Sequence, residues 1–241
     1  MKIARRDALL LALACVGRAA ALKLGAELGR GNYGVVYAAS VGGLDAVAKC
    51  AAAAEPAQDD LARQYLDVEA SVNAELRRQA ERRDGTARRF CTYLGERNLQ
   101  GTRYLLWERV HAPARAPPGI DVCATTAVSL ADFSGRGAAA LEQATGLTPR
   151  ALLRGLLLAA RDLHAIGYVH RDIKPANLLL DWAGNDAGNE VGNSGVRLRL
   201  IDLGSCAYVE GCSAFDEMLR RCPSYDETRS PVSPRCAPRG R

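Results

Sequence analysis

The order of apolar and polar positions predicts strands in the first part of the chain. Between Leu22 and Cys50, short apolar runs are interrupted by glycine, and Gly42 and Gly43 form a turn signal between the last two runs. Short runs of this kind, bounded by turn residues, are typical of strands that follow one another in a meander. We therefore predict that residues 22–50 form neighbouring strands of one sheet.

The periodicity becomes helical after this meander. From Asp59 to Arg83, apolar side chains recur at helical spacing along a segment that is otherwise rich in arginine and glutamate. A single apolar face of this kind predicts an amphipathic helix. Strand-like runs follow around residues 90–94 and 104–110, and the proline-rich stretch 112–119 predicts a linker that ends a first lobe.

One apolar helix dominates the second part of the chain. Thr148 and Pro149 form a helix start, and the following residues 151–165, which a glycine signal ends, are mostly leucine and alanine. Such a composition predicts a helix that is buried on nearly all sides. We interpret residues 134–147 as a Gly/Ala-rich connection and predict a further strand within residues 196–204.

The composition indicates an ordinary globular protein. The 241 residues are 48% apolar and 24% charged, which is typical of a folded domain with a substantial core. The net charge of +5 is small and spread along the chain, so nucleic acid is not an expected partner. The eight cysteines occur singly and are predicted to be reduced thiols, with a redox pair of Cys206 and Cys212 as the alternative.

The amino terminus has the outline of a targeting segment. Basic residues precede an apolar run from Ala8 to Val16, and small residues follow at positions 19–21. Residues 1–21 thus resemble a signal for the secretory pathway or a plastid, whereas an amphipathic helix or a misassigned start codon would leave the protein cytoplasmic. The run is too short to span a bilayer, so membrane association is expected only through this terminus.

A glycine-rich loop and a lysine indicate a phosphate-binding site. Gly29, Gly31 and Gly34 form a G-x-G-x-x-G motif, and glycine lets backbone amides approach phosphate oxygens. The residues that follow are strand-like, which disfavours a dinucleotide-binding unit and favours a strand-loop-strand lid over a nucleotide. Lys49 follows in the next strand and could reach the α- and β-phosphates.

A lysine beneath such a lid needs a carboxylate to keep it extended, and the predicted helix offers two. At 100° per residue, Glu69 lies about 40° from the centre of the apolar stripe and Glu75 about 80° from it on the other side. We therefore predict Glu69 as the partner of Lys49.

The strongest motif is H-R-D-I-K-P-A-N at residues 170–177, with a D-L-G motif beginning 30 residues after Asp172. Asp172 could orient an attacking hydroxyl and accept its proton, and Lys174 could steady the transferring phosphoryl group. Asn177 and Asp202 supply hard oxygen ligands for magnesium. Their order behind the glycine loop predicts phosphoryl transfer from ATP.

Together these motifs resemble those of eukaryotic-type protein kinases from about Leu22 to the end of the chain. The lysine after Asp172 is similar to the serine/threonine branch. The resemblance implies a bilobal α+β fold, with an antiparallel β-rich lobe and one helix in residues 22–110 and an incomplete helical lobe in residues 111–241. It also implies ATP and Mg²⁺ as cofactors and protein hydroxyls as the phosphate acceptors.

The resemblance implies further contacts with ATP. Val36, Ala48 and Leu179 would enclose the adenine ring, and the backbone from Glu108 to Val110 would bind its edge. Trp107 would then be the gatekeeper at the back of this pocket, and it is unusually large for that position.

A narrower resemblance is to the chloroplast thylakoid kinases that control state transitions. The segments that carry it include D-V-E-A-S-V-N-A-E-L-R-R-Q-A at 67–80 and Y-L-L-W-E-R-V at 104–110, and the stretch 233–238 resembles the end of the activation segment in that group. Arg171 beside Asp172 further suggests regulation by phosphate on the activation segment, although the hydroxyls there could equally be ordinary loop residues. The candidate acceptors are Ser224, Thr228, Ser230 and Ser233.

The chain departs from the kinase pattern in two places. It reads A-P-R at 237–239 in place of A-P-E and ends soon afterwards, so a carboxy-terminally truncated kinase with exposed leucines is expected. Asn73 stands where kinases usually have an apolar residue, which is expected to weaken the positioning of the helix. The alternative function is an ATP-binding pseudokinase or an inactive kinase fragment that acts as an interaction module.

Overall fold

The computed structural model describes residues 20–52, 56–82, 89–110, 127–182 and 196–208. In these ranges, the first lobe contains an antiparallel sheet with the strand order β1-β2-β3-β5-β4. The strands are β1 (Leu22–Arg30), β2 (Gly34–Val41), β3 (Leu44–Ala51), β4 (Tyr93–Leu99) and β5 (Thr102–Glu108). The predicted meander is confirmed, whereas the strand expected at 90–94 lies at 93–99.

Helix α1 (Asp59–Arg82) lies between the sheet and the second lobe. Its bounds match the predicted helix to one residue, and two aspartates in its first turn stabilise the positive end of the helix dipole. Leu66 packs with Leu105 of the sheet, while Val72 and Leu76 join the core of the second lobe. Glu69, which lies between these contacts, meets Lys49 of β3.

The second lobe combines two helices with short strands in the described ranges. They are β6 (Val128–Ser129), α2 (Gly137–Thr145), α3 (Pro149–His164), β7 (Tyr168–Val169), β8 (Leu178–Asp181), β9 (Arg197–Leu200) and β10 (Ala207–Tyr208). Strand β8 pairs with β6 and β9, and β7 pairs with β10. The predicted α+β fold, with a β-rich lobe followed by part of a helical lobe, is confirmed.

Local sequence explains where the two helices of this lobe begin and end. Thr148 caps α3, because its hydroxyl accepts a hydrogen bond from the Ala151 amide at 3.2 Å, and Pro149 is the first helical residue. Helix α2 was expected to be a connection. Its alanines favour a helix, which Gly146 ends in the left-handed conformation with φ 68°.

The expectation that α3 is buried on nearly all sides is wrong. Leu152, Ala159 and Leu163 are buried with β8 and β9, but Leu153 and Leu157 are 57% and 60% exposed. Among the described residues, α3 packs along one face only, so leucines on the other face meet solvent.

Replacing a leucine by alanine is expected to reduce stability by different amounts on the two faces of α3. Leu163→Ala is expected to lower the free energy of unfolding by about 2–5 kcal/mol, because the side chain is fully buried. Leu157→Ala on the exposed face is the matched control, with an expected change within about 0.5 kcal/mol. Urea unfolding of both variants checks this, and equal losses would contradict the described packing.

Buried ion pairs join the two lobes behind the cleft. Arg199 on β9 donates through Nε and Nη2 to Asp181 Oδ2 at 2.9 and 2.6 Å, and through Nη1 to the Phe90 carbonyl at 2.5 Å. The same Nη1 lies 3.0 Å from Glu108 Oε1, at the end of β5. One arginine therefore ties the end of β5 to the β8–β9 hairpin.

None of the helices in the described ranges has the length and apolar content needed to cross a bilayer.

Candidate active site

Lys49 stands at the centre of a charged cluster between the lobes. Its Nζ donates to Glu69 Oε2 at 2.7 Å and to Asp202 Oδ1 at 2.7 Å. Glu69 comes from α1, and Asp202 follows β9 in the second lobe. Lys49 thus contacts one residue that lies 20 positions later in the sequence and another that lies 153 positions later.

The structure distinguishes the two glutamates that the helix offered. Glu69 is buried and points at Lys49. Glu75 lies farther along α1 and forms an ion pair with Arg78 at 2.6 Å. The side chain nearer the centre of the apolar stripe is therefore the one that contacts the lysine.

Burial and charge act against each other in this cluster. Burial favours a neutral Lys49, but Glu69 and Asp202 outweigh it and raise the pKa of the amine above its ordinary value. Burial also raises the pKa of Glu69. At Asp202 burial acts to raise the pKa of the carboxyl, but the charge and hydrogen bond of Lys49, together with smaller effects of neighbouring charges, outweigh it and lower the pKa. These shifts favour the charged forms of Lys49 and Asp202, and a carboxylate can bind a metal ion.

The catalytic-loop residues expected from the motif converge. Lys174 Nζ donates to Asp172 Oδ2 at 2.7 Å, and Asn177 Nδ2 donates to the same oxygen at 3.0 Å. The Asn177 carbonyl accepts from the Ile201 amide at 3.0 Å, next to Asp202. Because Nδ2 is engaged by Asp172, the side-chain oxygen of Asn177 is the atom able to ligate a cation.

Two residues of this region hold backbone conformations that are uncommon outside glycine. Arg171 has φ 65° and Asp202 has φ 61° and ψ 65°, both in the left-handed region. Such conformations persist where the surroundings hold them and are frequent at functional sites. Here Arg171 Nε donates to the Ser205 carbonyl at 2.7 Å, so the two loops hold each other.

The hydrogen bonds of His170 favour a neutral imidazole. Its Nδ1 accepts from the Asp172 amide at 3.2 Å, which leaves Nε2 to donate to the Ile201 carbonyl at 3.0 Å. Protonation of the ring would place a second N–H at Nδ1, which would then point at the N–H of Asp172, another donor. Burial lowers the pKa of His170 from its ordinary value of 6.5, in keeping with this geometry.

The stability of the protein is therefore expected to fall in mild acid. Below pH 6.5 the unfolded chain binds a proton that folded His170 excludes, so the free energy of unfolding decreases until the pH reaches the lower folded-state pKa. His170→Gln should remove this part of the pH dependence, and His164→Gln at the exposed end of α3 should keep it. Chemical unfolding from pH 7 downward tests both, and identical profiles for all three proteins would contradict the assignment.

The glycine loop packs onto the lysine. A Cβ at Gly34 would lie 3.0 Å from Lys49 Cε and 3.1 Å from the Cys50 carbonyl, so a larger residue here would crowd the lysine and strand β3. At Gly29 a Cβ would meet nothing within 4 Å, and at Gly31 only a carbonyl at 3.9 Å. Among the described residues, therefore, little fills the space beside these two glycines.

Tyr65 is a site residue that the sequence did not single out. Its ring stacks on Tyr33 of the glycine loop, with centroids 4.5 Å apart and planes 7° apart. On its other side, a Cβ at Gly204 would lie 3.1 Å from the Tyr65 carbonyl. Its place in the apolar stripe of α1 concealed this bridging role between the glycine loop and the D-L-G motif.

The assignment of Ala48 to the adenine pocket is wrong. Successive side chains of a strand point to opposite faces, and Ala48 is fully buried in the apolar cluster on the face away from Lys49. Val47 shares the face of Lys49 and packs near Trp107. The pleat therefore places Val47 where Ala48 was expected, and alternation counted from Lys49 could have shown this.

The structure also describes the other residues that were expected at the adenine. Val36 pairs directly with Lys49 across β2 and β3, and Leu179 is the half-buried residue of β8 between two buried leucines. Glu108 ends β5, and Val110 is buried two residues later. Both segments lie at the junction of the lobes.

Trp107 and Asn73 meet at the back of the cleft. The indole Nε1 donates to Asn73 Oδ1 at 3.0 Å, and Asn73 Nδ2 donates to the Glu69 carbonyl at 2.8 Å. Asn73 was expected to weaken the positioning of α1. Instead, its side chain bonds both to the strand and to its own helix.

The cysteines that the structure describes are free thiols. They are Cys50, Cys91 and Cys206. Burial raises the pKa of Cys91 to about 12 and also raises that of Cys206, so neither is an activated thiolate. Cys212, the candidate phosphate acceptors at 224–233, the A-P-R stretch, residues 1–19 and the linker at 112–119 lie outside the described residues.

Comparison with known proteins places parts of this chain beside protein kinases. It is 44% identical to the serine/threonine-protein kinase MRCK gamma of Mus musculus over 67 residues, which are 28% of this chain and 4% of that protein. It is 39% identical to the maternal embryonic leucine zipper kinase of Danio rerio over 78 residues, or 32% of this chain and 10% of that protein. It is also 42% identical to the human myotonin-protein kinase over 57 residues, or 24% and 7%.

No family model matches the chain. The matched segments span no more than 10% of the length of these three curated relatives. Parts of this chain are thus similar to serine/threonine protein kinases, and its α+β fold is that of a kinase amino-terminal lobe with part of the carboxy-terminal lobe.

Proposed function

We propose that this chain binds ATP with magnesium between its lobes and transfers the γ-phosphoryl group to serine or threonine hydroxyls of protein substrates. The observation that carries the proposal is Lys49, which contacts Glu69 and Asp202 at 2.7 Å each. A partly buried cation that two carboxylates hold beside a glycine loop is suited to bind phosphate oxygens. The similarity of chain segments to serine/threonine kinases supports the same reaction.

In this proposal the nucleotide lies along the face of the sheet that carries Lys49. Val36 and Val47 on that face, with Leu179 from below, would enclose the adenine, and the backbone of residues 108–110 would bind its edge. The space beside Gly29 and Gly31, where a Cβ would meet almost none of the residues that the structure describes, fits phosphate groups. Lys49 would then bind the α- and β-phosphates.

Asn177 and Asp202 are the residues that would hold magnesium. Both offer hard oxygen atoms, which suit Mg²⁺, and the ion usually takes one or two carboxylates with substrate phosphates completing its shell. Within the described ranges, no three His, Cys, Asp or Glu side chains form a metal centre of their own, which fits an ion that arrives with ATP. Bound magnesium would offset the negative charge of the phosphate oxygens.

Asp172 and Lys174 would act on the acceptor side. The Asp172 carboxylate would orient the substrate hydroxyl and accept its proton, and the adjacent Lys174 ammonium would stabilise charge on the transferring group. The 2.7 Å contact between the two residues supports a shared role. A lysine two residues after Asp172 favours serine and threonine over tyrosine as acceptors, by resemblance.

The test is magnesium-dependent transfer of label from γ-labelled ATP to a generic acceptor protein. Lys49→Met should reduce the rate by at least about 10²-fold, since it removes a charge aimed at the phosphates. Lys23→Met on the exposed face of β1 is the matched control and should have no effect. Failure of the whole chain to bind Mg-ATP would overturn the proposal.

Binding without transfer would favour a second function, a nucleotide-binding interaction module. The observation that favours it is the pair of exposed leucines on α3, Leu153 and Leu157, which offer an apolar surface. In that case Lys49→Met would abolish binding, and label would not reach any acceptor.

A further inference from the structure

We propose that Asn73 and Trp107 are positioning residues for the nucleotide site. The hydrogen bond between them fixes helix α1 against strand β5 and thereby holds Glu69 at Lys49. The inference rests on the proposed function, because the group that is positioned is the lysine assigned to the phosphates of ATP.

The contact is buried and uses both ends of the asparagine side chain. Asn73 is 4% exposed and Trp107 is 8% exposed. The side-chain carbonyl accepts from the indole Nε1 at 3.0 Å, and the side-chain amide donates to the Glu69 carbonyl at 2.8 Å. The indole N–H, which can only donate, has its acceptor in Asn73.

The strand register connects the Asn73–Trp107 contact to the Glu69–Lys49 contact. On the β3–β5 pair, Trp107 is the partner of Val47, and Leu105 is the partner of Lys49. The same two strands therefore carry the indole and the lysine, while α1 carries Asn73 and Glu69 one turn apart. Helix and sheet are joined at two points, and two points fix the rotation of a helix where one would allow it to turn.

Packing alone does not require a polar residue at this position. Leu66, Ala70, Tyr93 and Leu105 surround Trp107 in an apolar cluster, which an apolar residue would also suit. A buried amide is unfavourable unless it is hydrogen-bonded. Asn73 has both of its hydrogen bonds when α1 lies in the position that brings Glu69 to Lys49. In another position of α1 the buried amide would lose a partner, so Asn73 disfavours such positions.

Tyr93 sets the orientation of the indole. Its ring lies 5.7 Å from that of Trp107 with an interplanar angle of 52°. An aromatic neighbour at this distance restricts rotation of the indole ring. The N–H is thereby aimed at α1.

The test uses the full chain with Trp182→Phe, which leaves Trp107 as its single tryptophan. We expect slow hydrogen exchange of the indole N–H by NMR and faster exchange in Asn73→Leu. We also expect Asn73→Leu and Trp107→Phe each to raise the Kd for Mg-ATP about tenfold, and the double variant to show no further loss, because both remove one shared contact.

Ser71→Ala is the matched control. Its hydroxyl donates to the Asp67 carbonyl at 2.9 Å, so it removes the same kind of bond within the same helix without a contact to Trp107. Its Kd for Mg-ATP should be unchanged. The double variant also separates positioning from folding, because removing both partners is expected to restore thermal stability while binding stays weak.

Three results would overturn the inference while the proposed function stands. They are unchanged Mg-ATP binding in both single variants, additive losses in the double variant, and recovery of binding together with stability in the double variant. Fast exchange of the indole N–H in the parent chain would overturn it without any variant at Asn73. Absence of Mg-ATP binding in the parent chain would instead overturn the proposed function, and the positioning role with it.

Discussion

Replacing Asp172 with asparagine is expected to reduce phosphoryl transfer by about 10³-fold and to leave the binding of Mg-ATP nearly unchanged. The carboxylate is the group assigned to accept the proton of the hydroxyl, and an amide cannot accept it. The rate is measured with γ-labelled ATP and an acceptor protein, and the binding is measured separately by calorimetry.

Two comparisons make this prediction specific. Asp60→Asn removes an exposed carboxylate that pairs with Arg63 on α1, and it should alter neither rate nor binding. Loss of binding in Asp172→Asn would mean that the carboxylate mainly holds the loop together through Lys174 and Asn177. An unchanged rate would exclude Asp172 as the base.

Replacing Arg199 with methionine is expected to lower the free energy of unfolding by about 3–5 kcal/mol. Asp181 is 2% exposed, and Arg199→Met would remove the two hydrogen bonds that its carboxylate accepts from the guanidinium. Breaking a buried pair from one side is costly for this reason. Urea unfolding measures the loss.

The double variant Arg199→Met/Asp181→Leu tests the cause of that loss. Because it also removes the stranded carboxylate, it should recover a large part of the stability. Arg30→Met, which breaks a solvent-exposed pair with Glu27, should change the free energy of unfolding far less than Arg199→Met does. A double variant as unstable as Arg199→Met would show that the loss comes from packing.

Periodicity was sufficient to find the partner of Lys49. Helix α1 is amphipathic, so the angle from its apolar stripe separates a glutamate that faces the cleft from one at the rim. Glu69 lies near the stripe and contacts Lys49, whereas Glu75 lies beyond it and contacts Arg78. The choice depended only on the local geometry of one helix.

Two errors came from local features that could have been weighed differently. Ala48 was placed in the adenine pocket although the two-residue period of a strand puts it on the face away from Lys49. Helix α2 was missed because glycines at both ends of an alanine run suggested a connection. Alanine favours the helix, and Gly146 ends it.

Other features arise only from tertiary contacts. Asn73 and Trp107 are 34 residues apart, and nothing in the sequence near either residue indicates the bond between them. Arg199 donates to the Phe90 carbonyl across 109 residues, and its place in the strand predicted within residues 196–204 does not indicate that partner. Such pairs depend on how α1 and the β8–β9 hairpin pack on the sheet.

The central claim is that Lys49, Asn177 and Asp202 together form a site for Mg-ATP. Calorimetric titration of the full chain with ATP, in the presence and absence of magnesium, tests it most directly. The account predicts saturable binding that requires magnesium and is lost in Asp202→Asn. Absence of saturable binding, or binding that Asp202→Asn leaves unchanged, would contradict it.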